Sequence, residues 1–225
     1  MPATPPAPAS QDTREIEWQL AASDLAPVRA WLAANPAVGG LRIEPLPGVR
    51  LRDAYLDTPD WRVLRAGYAL RLRHEDSRAE ATLKSLRSAR TDLADRQEIT
   101  EALADGQITP ELAPGAVGRW LRGVLDRQPL VSLFTACTQR ERFAVYGAPP
   151  RALIGEIALD ETQLLGPAQA AREHLLRVEV ELRDGHPQAL ALLVEALQRH
   201  CRLTPARENK FAAGLRAAAL APPLG

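Results

Sequence analysis

Residues 15–20 read EIEWQL, an alternation that puts Glu15, Glu17 and Gln19 on one face of a strand and Ile16, Trp18 and Leu20 on the other. The same period of two returns along the chain. Arg71 and Arg73 share a face opposite Leu70 and Leu72; Thr82 and Lys84, then Arg96 and Glu98, do likewise. Arg140 and Arg142 continue the pattern, as do Glu156 and Asp160, and in RVEVEL Glu179 and Glu181 lie opposite Val178, Val180 and Leu182. One such strand is ordinary, because a sheet with a solvated face carries cross-strand ion pairs there. The whole set is not. About eight strands with apolar stripes can close into a barrel and leave their charged faces lining the bore. The expected fold is α+β: a closed antiparallel eight-stranded β-barrel, a tunnel with helices packed outside.

Between the strands, residues 25–34 read as a helix with Asp24 as N-cap, and 42–46 and 49–56 as extended segments parted by a Pro47-Gly48 turn. TPDWRVLRAG (58–67) reads as a short helix capped by Thr58 and ended by Gly67. Residues 69–75 and 80–86 look like a strand pair, with 96–101 a further strand. Residues 109–127 form a connecting helix with Leu112, Val117, Leu121 and Val124 as its apolar positions. Strands follow at 131–145, 152–164 and 174–183. Leu190, Leu193, Val194 and Leu197 make one stripe of a helix over 187–202, and a last helix starts after Thr204-Pro205. We assign 1–13 to a disordered leader, 14–216 to one domain and 217–225 to a tail.

The 28 basic and 28 acidic residues balance, so no global field draws the chain to a nucleic acid duplex or an anionic membrane. No apolar run approaches the roughly 20 residues that span a bilayer, and residues 1–13 lack the features of a secretory signal. Cys137 and Cys201 read as buried thiols of a reduced cytoplasm, with a disulfide as the alternative. The four histidines form no ligand cluster, which argues against zinc. A bore with clustered carboxylates and clustered cations suits an anion accompanied by hard metal ions. Carboxylate oxygens hold Mg²⁺ or Mn²⁺, and arginine forks match phosphate oxygens. Lysine occurs only at Lys84 and Lys210 against 26 arginines. Survival under such a bias suits a tight site that needs a compact ammonium, although accident accounts for it equally well.

The segments also resemble a known family, in order. EIEWQL resembles the ExExK signature that opens CYTH domains, the triphosphate tunnel metalloenzymes, and YLDTPDWRVLRAGYALRLRHED is similar to their YxDT…LRxR segment. ATLKSL, RQEITEAL, LFTACTQRERFAV, IALDETQL and RVEVELRDG resemble the later strands, and ENKFAAGL resembles the closing SKxxxG helix. The resemblance covers about residues 14–215. It implies Glu15, Glu17, Glu179 and Glu181 as metal ligands that, with Lys84, form the catalytic set. It implies Arg71, Arg73, Lys84, Arg140 and Lys210 as phosphate ligands, with Glu98 and Asp160 as further acidic tunnel residues. The implied activity is metal-dependent hydrolysis of inorganic triphosphate, with Mg²⁺ or Mn²⁺ as cofactor, by a cytoplasmic monomer or homodimer. A non-catalytic polyphosphate-binding module, a nucleoside or thiamine triphosphatase and an adenylate cyclase are the alternatives. Three positions depart from the pattern: Gln19 stands for lysine, Asn209 for serine and Ala213 for arginine. Restoring lysine at position 19 is expected to tighten phosphate binding.

Overall fold

The computed structural model describes residues 10–75, 78–86, 93–104, 109–147, 152–168 and 170–222. Its strands are β1 (Ser10–Ala21), β2 (Ala37–Val38), β3 (Leu41–Asp57), β4 (Tyr68–Glu75), β5 (Arg78–Ser85), β6 (Leu93–Leu103), β7 (Val131–Tyr146), β8 (Leu153–Leu165), β9 (Ala171–Leu182) and β10 (Thr204–Pro205). The helices are α1 (Ala26–Ala34), α2 (Arg62–Arg65), α3 (Ala116–Leu125), α4 (Gln188–Cys201) and α5 (Lys210–Ala217).

Eight strands run in the order β1-β6-β5-β4-β3-β7-β8-β9, antiparallel throughout, and β9 pairs back onto β1 to close the barrel. β2 and β10 are two-residue additions to β3 and β1. Closure depends on an offset within β1. Ser10–Trp18 pair with β6, whereas Ile16–Ala21 pair with β9, so only three residues are bonded on both sides. Such stagger tilts strands and lets a sheet meet itself.

The apolar faces point outward, under helices. Trp18, Leu20, Val178 and Val180 pack with Val28 and Leu32 of α1 and Leu190, Leu193 and Leu197 of α4. Leu70, Leu72, Ala81 and Leu83 lie with Val117, Leu121 and Leu125 of α3. Interior-face residues Tyr55, Phe134 and Leu164 instead meet Phe211, Ala213 and Leu215 of α5, which packs across one end of the bore. The Tyr55 ring centroid is 4.6 Å from that of Phe134 and 5.7 Å from that of Phe211. Gly214 permits this approach, because a Cβ there would sit 2.0 Å from the Phe134 ring.

Several local expectations need correction. Pro47-Gly48 is not a turn between strands but an irregularity inside β3, where the register against β7 shifts between Leu46 and Val49. Pro47 has no N–H to give the ladder, and a bulge accommodates that loss without ending the strand. Residues 109–127 divide into a 3₁₀ turn at Pro110–Leu112 and α3, because Pro114 and Gly115 interrupt the helix. Leu112 is consequently 68 % exposed, and Leu125 joins the buried stripe instead. Leu25 is the N-cap of α1, although Asp24 Oδ1 still accepts from the Ala26 N–H at 2.9 Å. Likewise Trp61 is the N-cap of α2, while Thr58 Oγ1 accepts from the Arg62 N–H at 3.0 Å and Gly67 follows the helix at φ +86°.

β1 starts at Ser10 and pairs from there with β6, so the strand extends into the stretch read as leader; residues 1–9 of that leader lie outside the described residues. Leu220, in the stretch read as tail, packs against the Phe211 cluster. Both cysteines are free; Cys201 is buried as expected, while Cys137 is only half-buried. Among the described residues, no helix is long and apolar enough to cross a membrane.

Candidate active site

The alternation that leaves apolar residues outside puts charge of both signs inside, around a cavity of about 700 Å³. All nine residues singled out as site residues line it: Glu15, Glu17, Arg71, Arg73, Lys84, Arg140, Glu179, Glu181 and Lys210. Lys210 arrives from outside the sheet, as the first residue of α5. Asn209, in place of serine, caps that helix by accepting the Ala212 N–H at 2.8 Å.

Among the described residues four ion-pair groups line the wall, one of them Glu156 and Glu181 with Arg142 and Arg183. In the first, Lys84 Nζ lies 3.1 Å from Glu15 Oε1 and also contacts Glu98. Arg96 joins them, donating to Glu15 Oε2 at 2.8 Å and to Glu17 Oε1 at 2.7 Å. In the second, Arg140 forks onto Asp160 with two bonds of 2.7 Å and reaches Glu179 Oε2 at 2.5 Å. Lys210 Nζ donates to Asp160 Oδ2 at 2.9 Å. In the third, Arg73 forks onto Asp53, again at 2.7 Å twice, while Arg71 Nη2 donates to Thr82 Oγ1 at 3.2 Å. Arg71 is buried, and among the described residues its Nε has no hydrogen-bond partner. A buried donor left unpaired is costly, so this nitrogen suits a ligand oxygen in the bore.

Asp53 and Arg96 were not among the residues assigned a site role. Arg96 was legible, since its alternation with Glu98 marks the inner face. Asp53 was not, because its inward neighbours Leu51 and Tyr55 are apolar and hide the pattern.

The electrostatics separate the carboxylates into two kinds. Burial opposes charge on Glu15, Glu179 and Asp53, but adjacent cations outweigh it and hold all three below the usual carboxylate range. Lys84 and Arg96 act on Glu15, Lys210 and Arg140 on Glu179, and Arg73 on Asp53. Burial wins at Glu17, reinforced by Glu15 and Glu179, and raises it to about 7. Glu181 is also raised to about 7 by burial, with Glu15 and Glu156 adding to the shift. The register sets carboxylates side by side here, although Arg96, Arg142 and Arg183 pair with them. Glu17 faces Glu181 across β1–β9, and Glu181 faces Glu156 across β9–β8. Like charges directly opposite repel.

Among the described residues no three carboxylates stand ready as a metal cage, since Glu15, Glu17 and Glu179 are held by Arg96, Lys84 and Arg140. The donor set nevertheless fits a hard divalent cation, because the Glu17–Glu181–Glu156 row brings three carboxylates side by side, each with an arginine partner that a cation would displace or share.

A closed barrel with cations and carboxylates facing one enclosed bore defines a tunnel suited to a polyanionic ligand. The chain belongs to the CYTH domain family, whose model matches residues 33–215. That match begins after β1, so Glu15, Glu17 and Gln19 take their place through the pairing of β1 with β6 and β9. A candidate adenylate cyclase from Bacillus halodurans is similar at 21 % identity and TM-score 0.59, over 90 % of this chain and 97 % of that one. A candidate adenylyl cyclase from Hippeastrum, described as having a dominant triphosphatase activity, is 19 % identical at TM-score 0.61, over 93 % and 98 %. A protein of Pyrococcus horikoshii is 16 % identical at TM-score 0.55, over 90 % and 98 %. At these identities the likeness is one of fold. No curated protein sequence matches the chain.

Proposed function

We propose that the protein hydrolyses inorganic triphosphate to pyrophosphate and phosphate inside the tunnel, with Mg²⁺ or Mn²⁺. The observation that carries this reading is the meeting, within one cavity, of Arg71, Arg73, Lys84, Arg140 and Lys210 with a row of adjacent carboxylates, of which Glu17 and Glu181 are raised to about 7 by burial. Arg71, Arg73 and Arg140 present their remaining guanidinium N–H groups to non-bridging phosphate oxygens, and Lys84 and Lys210 add point charges. Asp53 and Asp160 fix the orientation of Arg73 and Arg140 before any ligand arrives, and such preorganisation favours charge that develops on a leaving pyrophosphate. Glu15, Glu17, Glu179 and Glu181 are the residues that would hold a divalent cation, which supplies Lewis-acid neutralisation of phosphate charge and lowers the pKa of an attacking water. No nucleophilic side chain is needed.

An inorganic substrate is favoured over a nucleotide by the aromatic residues. Among the described residues lining the cavity these are Tyr55 and Phe211, and both are packed against Phe134 rather than free to stack on a base. The test is phosphate release from tripolyphosphate, ATP and long-chain polyphosphate, each with Mg²⁺ and with Mn²⁺. Tripolyphosphate should be turned over fastest. Preference for ATP would overturn the substrate, and binding without release would identify a polyphosphate-binding module.

A further inference from the structure

Gln19 is buried between two charged groups. Its Nε2 donates to Glu17 Oε1 at 2.5 Å, and its Oε1 accepts from Arg177 Nη1 at 3.4 Å. Arg177 lies on β9, on the same face as Glu179 and Glu181, and is 5 % exposed. Among the described residues, no carboxylate lies within ion-pair distance of its guanidinium, and Gln19 is its one side-chain hydrogen-bond partner. Asp160 is its cross-strand neighbour, but Arg140 and Lys210 engage both Asp160 oxygens. A buried guanidinium without a counter-charge is costly unless something polar answers it.

The two ends of a glutamine amide are alike in shape, so its orientation is decided by its partners. Arginine can only donate, and therefore draws the carbonyl toward itself. The NH₂ is then turned toward Glu17, whose Oε1 it shares with Arg96.

We propose that Arg177 is a positioning residue of the tunnel, which holds the Gln19 carbonyl, turns its NH₂ toward Glu17, and keeps its own positive charge beside the end of the bore where β1 meets β9. This rests on the reading that the tunnel holds a phosphate chain. It reverses the expectation for Gln19→Lys, because an ammonium at position 19 would stand beside a cation already there. The charge can sit at either position, but not at both.

Titration calorimetry with tripolyphosphate in the presence of a chelator, which prevents turnover, tests this. Arg177→Gln should weaken binding about 10-fold, and Arg177→Lys should stay within about 3-fold of the unmodified protein. Gln19→Lys alone should not tighten binding and should lower Tm. The double variant Gln19→Lys/Arg177→Gln should return to within about 3-fold of the unmodified protein, a rescue that a merely structural arginine would not permit. Unchanged affinity in Arg177→Gln, or a double variant no better than Arg177→Gln alone, overturns the proposal and leaves the tunnel reading standing. If Arg177→Gln does not fold, Gln19→Lys decides: tightening of 3-fold or more overturns it, and no tightening with a lower Tm supports it. Failure of the unmodified protein itself to bind tripolyphosphate overturns both.

Discussion

Lys210 Nζ stands 2.9 Å from Asp160 Oδ2, although Lys210 begins a helix outside the sheet and Asp160 lies in the middle of β8. The contact ties α5 to the charged wall and sets an ammonium where Arg140 already occupies the other side of the same carboxylate.

Lys210→Arg and Lys84→Arg should therefore fold normally and lose activity. A guanidinium is broader than an ammonium and seeks a planar partner, and Asp160 and Glu15 already face arginine forks. A displacement of about 1 Å of the bound phosphate costs on the order of 100-fold in rate. Steady-state tripolyphosphate hydrolysis measures this; full activity in both variants would mean that the two lysines persist by accident.

The pH dependence of stability follows from Glu17 and Glu181. Their folded-state values of about 7 lie above the ordinary 4.5, so the folded protein binds more protons than the unfolded chain between these limits. Their contribution is present below about 4.5 and is lost as pH rises through about 7. Metal-free protein should therefore show a falling Tm across that window, and excess Mg²⁺ or Mn²⁺ should flatten it. A Tm that rises across the window without metal would contradict the assignment.

Neutralising single carboxylates should distinguish the two kinds. Glu17→Gln should leave metal-free stability at pH 7.5 unchanged or raise it, because it removes a repelled charge. Glu15→Gln should lower stability, since Lys84 and Arg96 lose the partner they share. Both should abolish the dependence of phosphate release on divalent cation. Release that depends on metal as before would exclude them as ligands.

Two buried carboxylates outside the tunnel have a different task. Asp57 accepts the N–H groups of Thr58, Val63 and Leu64 at 2.7, 2.9 and 3.0 Å, and Glu101 accepts those of Gly115 and Gly118 at the start of α3. Free N–H groups at a helix start need such acceptors. Asp57→Ala and Glu101→Ala should each cost about 2–4 kcal/mol in denaturant unfolding. In the variants that remain folded, affinity for tripolyphosphate should not change; a selective loss of affinity would place these residues in the site.

Glu15, Glu17 and Gln19 share a face because strand geometry alternates side chains whatever the rest of the chain does. That rule sufficed to mark Arg71, Arg73, Lys84, Arg140, Glu179 and Glu181 as one charged set and to imply a closed barrel. It could not mark Asp53 among apolar inward neighbours, nor tell Asp57 and Glu101 at helix starts from carboxylates of the bore. Nor could local pattern say which charge meets which. That Glu17 faces Glu181 while Glu179 has Arg140 and Lys210 depends on the register between β1 and β9 and on α5 crossing the barrel end, contacts between residues more than 150 positions apart for the first pair. Coulomb energies and desolvation depend on those distances, so only the closed barrel decided which carboxylates neighbouring cations hold below the usual range and which burial pushes up.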